Sequence, residues 1–266
     1  MQLRLAAVAA AVPLPHPEAI LMKTFFSFLA GAVLAAAAFA AEPARAPHVH
    51  MAGDSTMADK PTEPPNPEHG WGQLFPKFFT DPKMIVNHAM NGRSTRSFIT
   101  EGRWQTLVDA LEPGDWVIIQ FAHNDEKIFP NARGEFQENL RRFVADVRAK
   151  GANPLLATPC ARRAWDATGQ LTNSHGDYPE ALRAVAVETK VPLLELNQLT
   201  ATLEESHGVE GSKLLHLWYP AGAFARQPAG YQDNTHYSAY GAERVAALAV
   251  QEIIRLQLPL KTWLKP

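Results

Sequence analysis

Met51-Ala52-Gly53-Asp54-Ser55-Thr56 is the stretch on which the reading of this chain turns. An apolar run of strand length, His48–Gly53, breaks here into a turn of small residues with a serine in it. Taken alone, Gly-Asp-Ser reads first as a polar turn between a strand and a helix, capped by its own Asp or Ser. The same turn is also the setting that a nucleophilic serine needs, because it exposes the hydroxyl and leaves a backbone N–H free to hold an oxyanion. The choice between the two readings depends on what the rest of the chain brings to the same place.

Four more apolar runs follow, at Met84–Ala89, Asp115–Ala122, Asn153–Thr158 and Pro192–Leu196, and they alternate with stretches of helical period. That alternation is the signature of βαβ units around a parallel sheet. Within Phe136–Lys150 the residues Phe136, Leu140, Phe143, Val144 and Val147 recur at spacings of three and four, which predicts an amphipathic helix lying on the sheet. Helices are also predicted over Pro179–Thr189 and from Ala239 to about Leu256, with Ser238 as the N-cap. Five strands with helices on alternate faces make an open doubly wound sheet, whose sites lie at the carboxyl ends of its strands.

Those strand ends carry chemistry. The second ends in Asn87-His88-Ala89-Met90-Asn91-Gly92-Arg93-Ser94, where Gly92 allows close backbone approach and offers a second N–H. The third ends in Phe121-Ala122-His123-Asn124-Asp125, which places the amide of Asn124 on the same rim. A general base stands near the C-terminus in Asp233-Asn234-Thr235-His236. Neutral imidazole takes a serine proton near pH 7 when a carboxylate fixes its tautomer through the other ring nitrogen, and an aspartate three residues earlier is within reach. The remaining histidines His48, His50, His69, His88, His123, His175, His207 and His216 show no metal-ligand spacing and read as surface or locally hydrogen-bonded residues. No metal and no cofactor is expected.

Composition limits the alternatives. The chain has 266 residues, 46% of them hydrophobic and 20% charged, with 25 Lys and Arg against 27 Asp and Glu. A net charge of −2 supplies no basic surplus for a phosphate backbone, so nucleic acid is not an expected partner. The single cysteine, Cys160, excludes an intrachain disulfide and a multi-cysteine zinc site. No G-x-G-x-x-G or G-x-x-x-x-G-K-[ST] loop follows the first strand, which sets aside a nucleotide enzyme. From Met22 the chain runs through Lys23 and an apolar stretch to Ala38-Phe39-Ala40, the pattern of a secretory signal peptide with cleavage after Ala40. The expected layout is a signal within residues 1–40, with Met22 as the true start and residues 1–21 an over-called extension. A short lead over 41–47 and one domain over 48–266 follow. The expected location is periplasmic or extracellular, with no membrane attachment once the signal is removed.

Together the four segments resemble the block pattern of the SGNH (GDSL-type) esterases. Gly70-Trp71-Gly72-Gln73, Asn91-Gly92-Arg93-Ser94 with Arg96 and Phe98, Glu101-Gly102-Arg103-Trp104, Pro113-Gly114-Asp115, Gln120 to Asp125, and Thr158-Pro159 with Arg162-Arg163 resemble the rhamnogalacturonan acetylesterases of carbohydrate esterase family 12. The likeness spans essentially all of the chain after residue 40. It implies a single α/β domain, a flavodoxin-like three-layer α/β/α sandwich around a five-stranded parallel sheet. It further implies Ser55 as nucleophile, His236 as base, Asp233 as its orienting carboxylate, and an oxyanion hole made of the N–H groups of Ser55 and Gly92 and the side chain of Asn124. Ala122 stands where the family commonly has glycine, and a methyl group there is expected to narrow the rim. Fungal members contain disulfides, which Cys160 alone cannot supply.

The expected partner is an acetylated polysaccharide or oligosaccharide, with rhamnogalacturonan ahead of acetylated xylan, peptidoglycan or another exported glycan. A non-catalytic carbohydrate-binding protein on the same scaffold is the alternative of a different class. Trp71, Trp104, Trp165, Trp218 and Tyr231 are candidates for stacking on sugar rings, with core or edge packing the competing role. Arg93, Arg162 and Arg163 are candidates for meeting galacturonate carboxylates, with pairing to nearby acids the competing role.

Overall fold

In the computed structural model, which describes residues 45–63, 65–225 and 227–266, the five apolar runs lie side by side as one parallel sheet. The expected signal peptide lies outside the described residues. In chain order the elements are β1 (Val49–Gly53), β2 (Glu68–His69), α1 (Trp71–Leu74), β3 (Ile85–Asn87), α2 (Thr95–Thr100), α3 (Arg103–Asp109), β4 (Trp116–Gln120), α4 (Glu135–Ala149), β5 (Asn153–Ala157), α5 (Tyr178–Thr189), β6 (Leu193–Leu194), α6 (Leu196–Gly211), β7 (His216–Tyr219), β8 (Tyr231–Ser238) and α7 (Ala239–Arg255). The large sheet has the order β3-β1-β4-β5-β6, the doubly wound order in which the chain reverses direction beside β1.

All five residues of β1 and all five of β4 are buried, as strands covered on both faces must be. On one face Ala52, Val117, Ile119 and Leu156 pack with Trp104, Phe136, Leu140, Phe143, Leu182 and Val185 from α3, α4 and α5. On the other, Val49, Met51, Ile118 and Leu155 pack with Trp71, Val245, Ala246, Ala249 and Ile253 from α1 and α7. The two cores and the sheet between them make three layers. Ser238 caps α7, its Oγ accepting from the Gly241 N–H at 3.1 Å.

Several strands are shorter than the apolar runs suggested. His88-Ala89, Phe121-Ala122 and Thr158 leave the sheet at its carboxyl end, and Leu196 opens α6 rather than closing β6. Two features were not expected. Helix α6 buries only Leu196, Thr200 and Glu204, so it has no apolar stripe to announce it. A second, antiparallel sheet of order β2-β8-β7 sits beside the rim, and its central strand is the polar run Tyr231-Gln232-Asp233-Asn234-Thr235-His236-Tyr237-Ser238, which reads as loop.

Candidate active site

The turn after β1 is wound by its own polar groups. The Asp54 carbonyl accepts from the N–H groups of Met57 and Ala58, at 3.2 and 3.0 Å. Its fully buried carboxylate accepts from the Thr56 N–H and hydroxyl at 3.0 and 2.9 Å. With both neighbours turned inward, Ser55 is left at the tip. Lys60 then ties this tip to the next strand end: its Nζ donates to the Ser55 carbonyl at 2.7 Å and to Asn91 Oδ1 at 2.5 Å, and it pairs with Glu68 at 2.8 Å. The ammonium is almost completely buried. Sequence reasoning missed Lys60, because nothing in Ala58-Asp59-Lys60 distinguishes it from a solvent-facing lysine.

His236 arrives from the small sheet. Strand β8 pairs with β7 at Tyr237–His216 and then at Asp233–Leu217, so residues 234–236 have no partners across the ladder and bulge outward. The Asp233 carboxylate holds the bulge. Its Oδ1 accepts from the N–H groups of Thr235 and His236 at 2.6 and 2.9 Å, and its Oδ2 accepts from His236 Nδ1–H at 2.7 Å. The other ring nitrogen, Nε2, lies 2.8 Å from Ser55 Oγ. Serine, imidazole and carboxylate thus form one continuous relay. Burial raises the pKa of Asp233, but the His236 ring and the two backbone donors overcome it and hold the carboxyl well below its ordinary range.

Around Ser55 lies an open cavity of about 610 Å³ whose lining includes Gly92, Asn124, Lys127, Arg162, Tyr231 and His236. Gly92 adopts φ +76°, a conformation that a side chain strains, and among the described residues neither its N–H nor that of Ser55 has a protein acceptor. Asn124 is oriented from both ends: its Nδ2 donates to the Arg93 carbonyl and its Oδ1 accepts from Lys127 Nζ, each at 3.1 Å. The second amide hydrogen is left for the cavity. Converging donors beside a nucleophile are what a tetrahedral oxyanion requires.

Beneath the rim lie four further titratable groups, Asp54, His123, Asp125 and Cys160. Asp54 would be raised by burial, but His123, whose Nδ1 lies 3.2 Å from Asp54 Oδ2, and the Thr56 hydrogen bonds bring it down to about 2. Burial lowers His123 itself to about 4, so near neutrality it is an uncharged ring beside an ionised Asp54. Asp125 goes the other way, pushed up to about 7 by burial against the pull of Thr95, whose N–H and hydroxyl bond its Oδ1 at 2.8 and 2.6 Å. Cys160 is fully buried, which pushes its thiol up to about 12 and leaves it unreactive.

The structure redistributes the candidate substrate residues. Arg162 lines the cavity but is paired with Glu126. Arg93 is not in the lining, and its Nε binds the carboxylate of Glu101 at 3.0 and 3.1 Å. Arg163 is buried, donates to Val209 O and Asn234, and stacks under Trp218. Trp165 binds Ser212 and Trp218 binds Asn234, each away from the cavity, while Trp71 and Trp104 belong to the two cores. Of the aromatic candidates only Tyr231 lines the cavity. Lys127, Glu68 and Asn91 line it unforeseen, since they sit in short polar segments without periodicity, Glu68 in the two-residue β2 and the others in turns. Ala122 does not narrow the rim. Its methyl is fully buried in the core below, and what its presence costs is backbone strain at φ +143°.

At the opposite, amino end of the sheet His48, His50 and Asp115 bring one ligand atom each to within 4.8 Å of one another. In the sequence these histidines show no i, i+4 pair or other ligand spacing. Positions 48 and 50 share a face of an extended chain, and Asp115 is the cross-strand neighbour. Arg45 donates to both His48 Nδ1 and Asp115 Oδ1, and none of the three residues lines the Ser55 cavity.

Comparison with known proteins places these features in company. The model of the GDSL-like lipase/acylhydrolase family matches residues 51–244. The chain is 41% identical over 218 residues to the rhamnogalacturonan acetylesterase RhgT of Bacillus subtilis, covering 80% of this chain and 92% of that one. Among solved structures it is similar to protein YxiM of Bacillus subtilis, with a TM-score of 0.68 and 28% identity over 80% of this chain and 57% of that one. The acetylxylan esterase Axe2 of Geobacillus stearothermophilus shares the fold, with a TM-score of 0.56 at 17% identity over 78% of this chain and 94% of that one.

Proposed function

The chain belongs to the GDSL-like lipase/acylhydrolase family, and on that premise we propose that it is an exported serine esterase removing O-acetyl groups from rhamnogalacturonan, a pectic polysaccharide, through an acetyl-enzyme. One observation carries the reading: a serine at a strand end, an imidazole 2.8 Å from its oxygen and a carboxylate 2.7 Å from the other ring nitrogen share an open cavity with Gly92 and Asn124. The choice of pectin over other acetylated glycans rests on the likeness to RhgT.

In this mechanism Ser55 Oγ attacks the acetyl carbonyl while His236 Nε2 takes its proton. Negative charge moves onto the carbonyl oxygen, where the N–H groups of Ser55 and Gly92 and the Asn124 amide receive it. Asp233 stays ionised throughout and stabilises the imidazolium. Collapse breaks the bond to the sugar oxygen, which leaves with the proton from His236. Water, deprotonated by the same imidazole, then attacks the acetyl-enzyme, and acetate departs as the proton returns to Ser55.

Ser55→Ala removes the nucleophile without disturbing the turn, since the hydroxyl is not among the groups that wind it. Acetate release from acetylated rhamnogalacturonan and from p-nitrophenyl acetate is expected to vanish with an unchanged thermal midpoint. Wild-type activity in this variant sinks the mechanism, and a wild-type protein that binds acetylated glycan without releasing acetate identifies a binding protein instead. Acetate release across pectin, xylan and chitin fragments ranks the substrates. Export is tested by mass spectrometry of the mature protein, for which an N-terminus at Ala41 is expected and a retained Met1 refutes cleavage.

A further inference from the structure

Glu204 and His216 are almost completely buried, and neither lines the Ser55 cavity. Glu204 belongs to α6, where Leu196, Thr200 and Glu204 recur at intervals of four and are buried together. His216 opens β7, and its ring stacks on that of Tyr237 with centroids 5.1 Å apart. Its Nε2 lies 2.5 Å from Glu204 Oε1, and its Nδ1 lies 3.1 Å from the main-chain carbonyl oxygen of His236. A carbonyl only accepts, so Nδ1 carries a hydrogen and donates it there. A second proton lies between Nε2 and the carboxylate, because a nitrogen lone pair and a carboxylate oxygen do not approach so closely without one. With the carboxylate to hold that proton, the ring keeps its other hydrogen on the nitrogen that faces His236.

This contact does something that the Asp233 contacts do not. The bonds accepted by Asp233 close on Thr235 and His236, within four consecutive residues, so they set the shape of the bulge rather than its place. One end of the bulge is tied down at Asn234, whose carbonyl accepts from the Arg163 N–H and whose Oδ1 accepts from Trp218 Nε1–H, each at 2.9 Å. Past the other end the ladder resumes at Tyr237. Between those ties, the His216 side chain reaches across from β7 to His236 itself. A buried acid and imidazole are weak evidence for stability, since well-packed apolar residues often serve as well. What the pair supplies here is a donor with a fixed direction. We propose that Glu204 and His216 are positioning residues for the base: Glu204 orients the His216 ring, His216 holds the His236 carbonyl, and the His236 imidazole is thereby kept at bonding distance from Ser55 Oγ. The inference rests on the esterase reading of Ser55 and extends it to two residues that touch neither substrate nor reacting atoms.

The test reads hydrolysis of p-nitrophenyl acetate, which needs Ser55 and His236 but no recognition of a sugar. Removing one partner alone strands the other in the core, so both are exchanged together. Glu204→Leu with His216→Phe replaces the pair by apolar side chains and is expected to keep the thermal midpoint. Its kcat is expected to fall by about 10–100-fold at an unchanged KM, the cost of a base displaced by on the order of 1 Å. Glu204→Leu with His216→Asn restores an N–H as many bonds from the backbone as Nδ1, and is expected to recover most of the lost kcat. Wild-type kcat in the first double variant overturns the proposal, and so does a kcat that falls only in step with an earlier midpoint. A second double variant no more active than the first also overturns it, because the donor to His236 is then not what matters. Failure of the esterase reading shows itself separately, as a wild-type protein that does not hydrolyse p-nitrophenyl acetate at all.

Discussion

Strands β1 and β8 each hold one member of the Ser55–His236 pair, and they hold it by opposite means. β1 is buried at all five positions and paired on both sides, with β3 and β4, so the place of Ser55 follows from the packing of two cores. β8 is partly exposed, and residues 234–236 have no ladder partners at all. What holds His236 is the Asp233 carboxylate, which accepts from its N–H and its Nδ1–H, together with His216, whose Nδ1 bonds its carbonyl at 3.1 Å. Burial fixes the strand that leads to the nucleophile, whereas the ring of the base is set by Asp233, whose Oδ2 is the partner of its Nδ1.

The largest expected effect tests that contrast directly. Asp233→Asn retains an oxygen for the Thr235 and His236 N–H groups but presents an amide to His236 Nδ1, which favours the wrong tautomer. Loss of the orienting carboxylate is expected to lower kcat for acetate release by about 10⁴, with little change in the thermal midpoint. A variant that keeps its kcat while unfolding earlier would make Asp233 a brace for the bulge and nothing more. Lys60→Met strikes the other region. It leaves Glu68 without its buried partner and releases the Ser55 carbonyl, at an expected cost of about 3 kcal/mol and on the order of 10 °C in thermal midpoint. An unchanged midpoint in that variant would mean that β1 and its turn hold Ser55 without the lysine clamp.

The same contrast explains what could be read in advance. Phe136, Leu140, Phe143, Val144 and Val147 repeat at helical spacing because α4 has one face on the core, and the helix runs Glu135–Ala149, within a residue of the expected span. The central strands β1, β4 and β5 were equally legible, since strands buried on both faces must be apolar, while β3 and β6 at the edges are short and partly exposed. Nothing of that kind marks β7, β8 or α6, whose positions come from cross-strand pairing and polar contacts that leave no period in the sequence. Asp233 and His236 were found by their chemistry rather than by any strand signal. The three arginines are a different case. A sequence displays Arg93, Arg162 and Arg163 as cations, but only coordinates display Glu101, Glu126 and Val209 opposite them.

Asp125 sharpens the comparison from within the rigid region, because the packing that fixes the rim also strips water from a carboxyl. With the folded-state pKa raised to about 7, the native protein holds a proton that the unfolded chain, titrating near 3.8, has already lost. Stability from this group is therefore fully present below pH 3.8, declines as pH rises, and is lost once pH has passed through 7. Thermal midpoints of Asp125→Asn and wild type measured from pH 4 to pH 8 are expected to lie close together at the acid end and to separate as pH rises, with the variant the higher at pH 8. Parallel curves would show that Asp125 is ionised in the folded protein across the whole interval.

The smallest expected effect lies at Ala122, where β4 has just left the sheet to deliver His123 and Asn124 to the rim. Its φ of +143° belongs to the region that glycine adopts freely, and a side chain there carries strain of about 1–3 kcal/mol. Ala122→Gly relieves the strain, but it removes a fully buried methyl worth about 0.8 kcal/mol and adds chain entropy worth about 0.5–1 kcal/mol in the unfolded state. The balance is a gain of about 0.5 kcal/mol, or a midpoint raised by roughly 1–2 °C. A fall of several degrees would mean that the methyl's packing outweighs the strain. The rim would then be held at this point, as β1 is, by burial alone. A rise together with lower kcat would mean instead that the strained backbone aims Asn124, and that even the regular sheet relies on a local device where it meets the substrate.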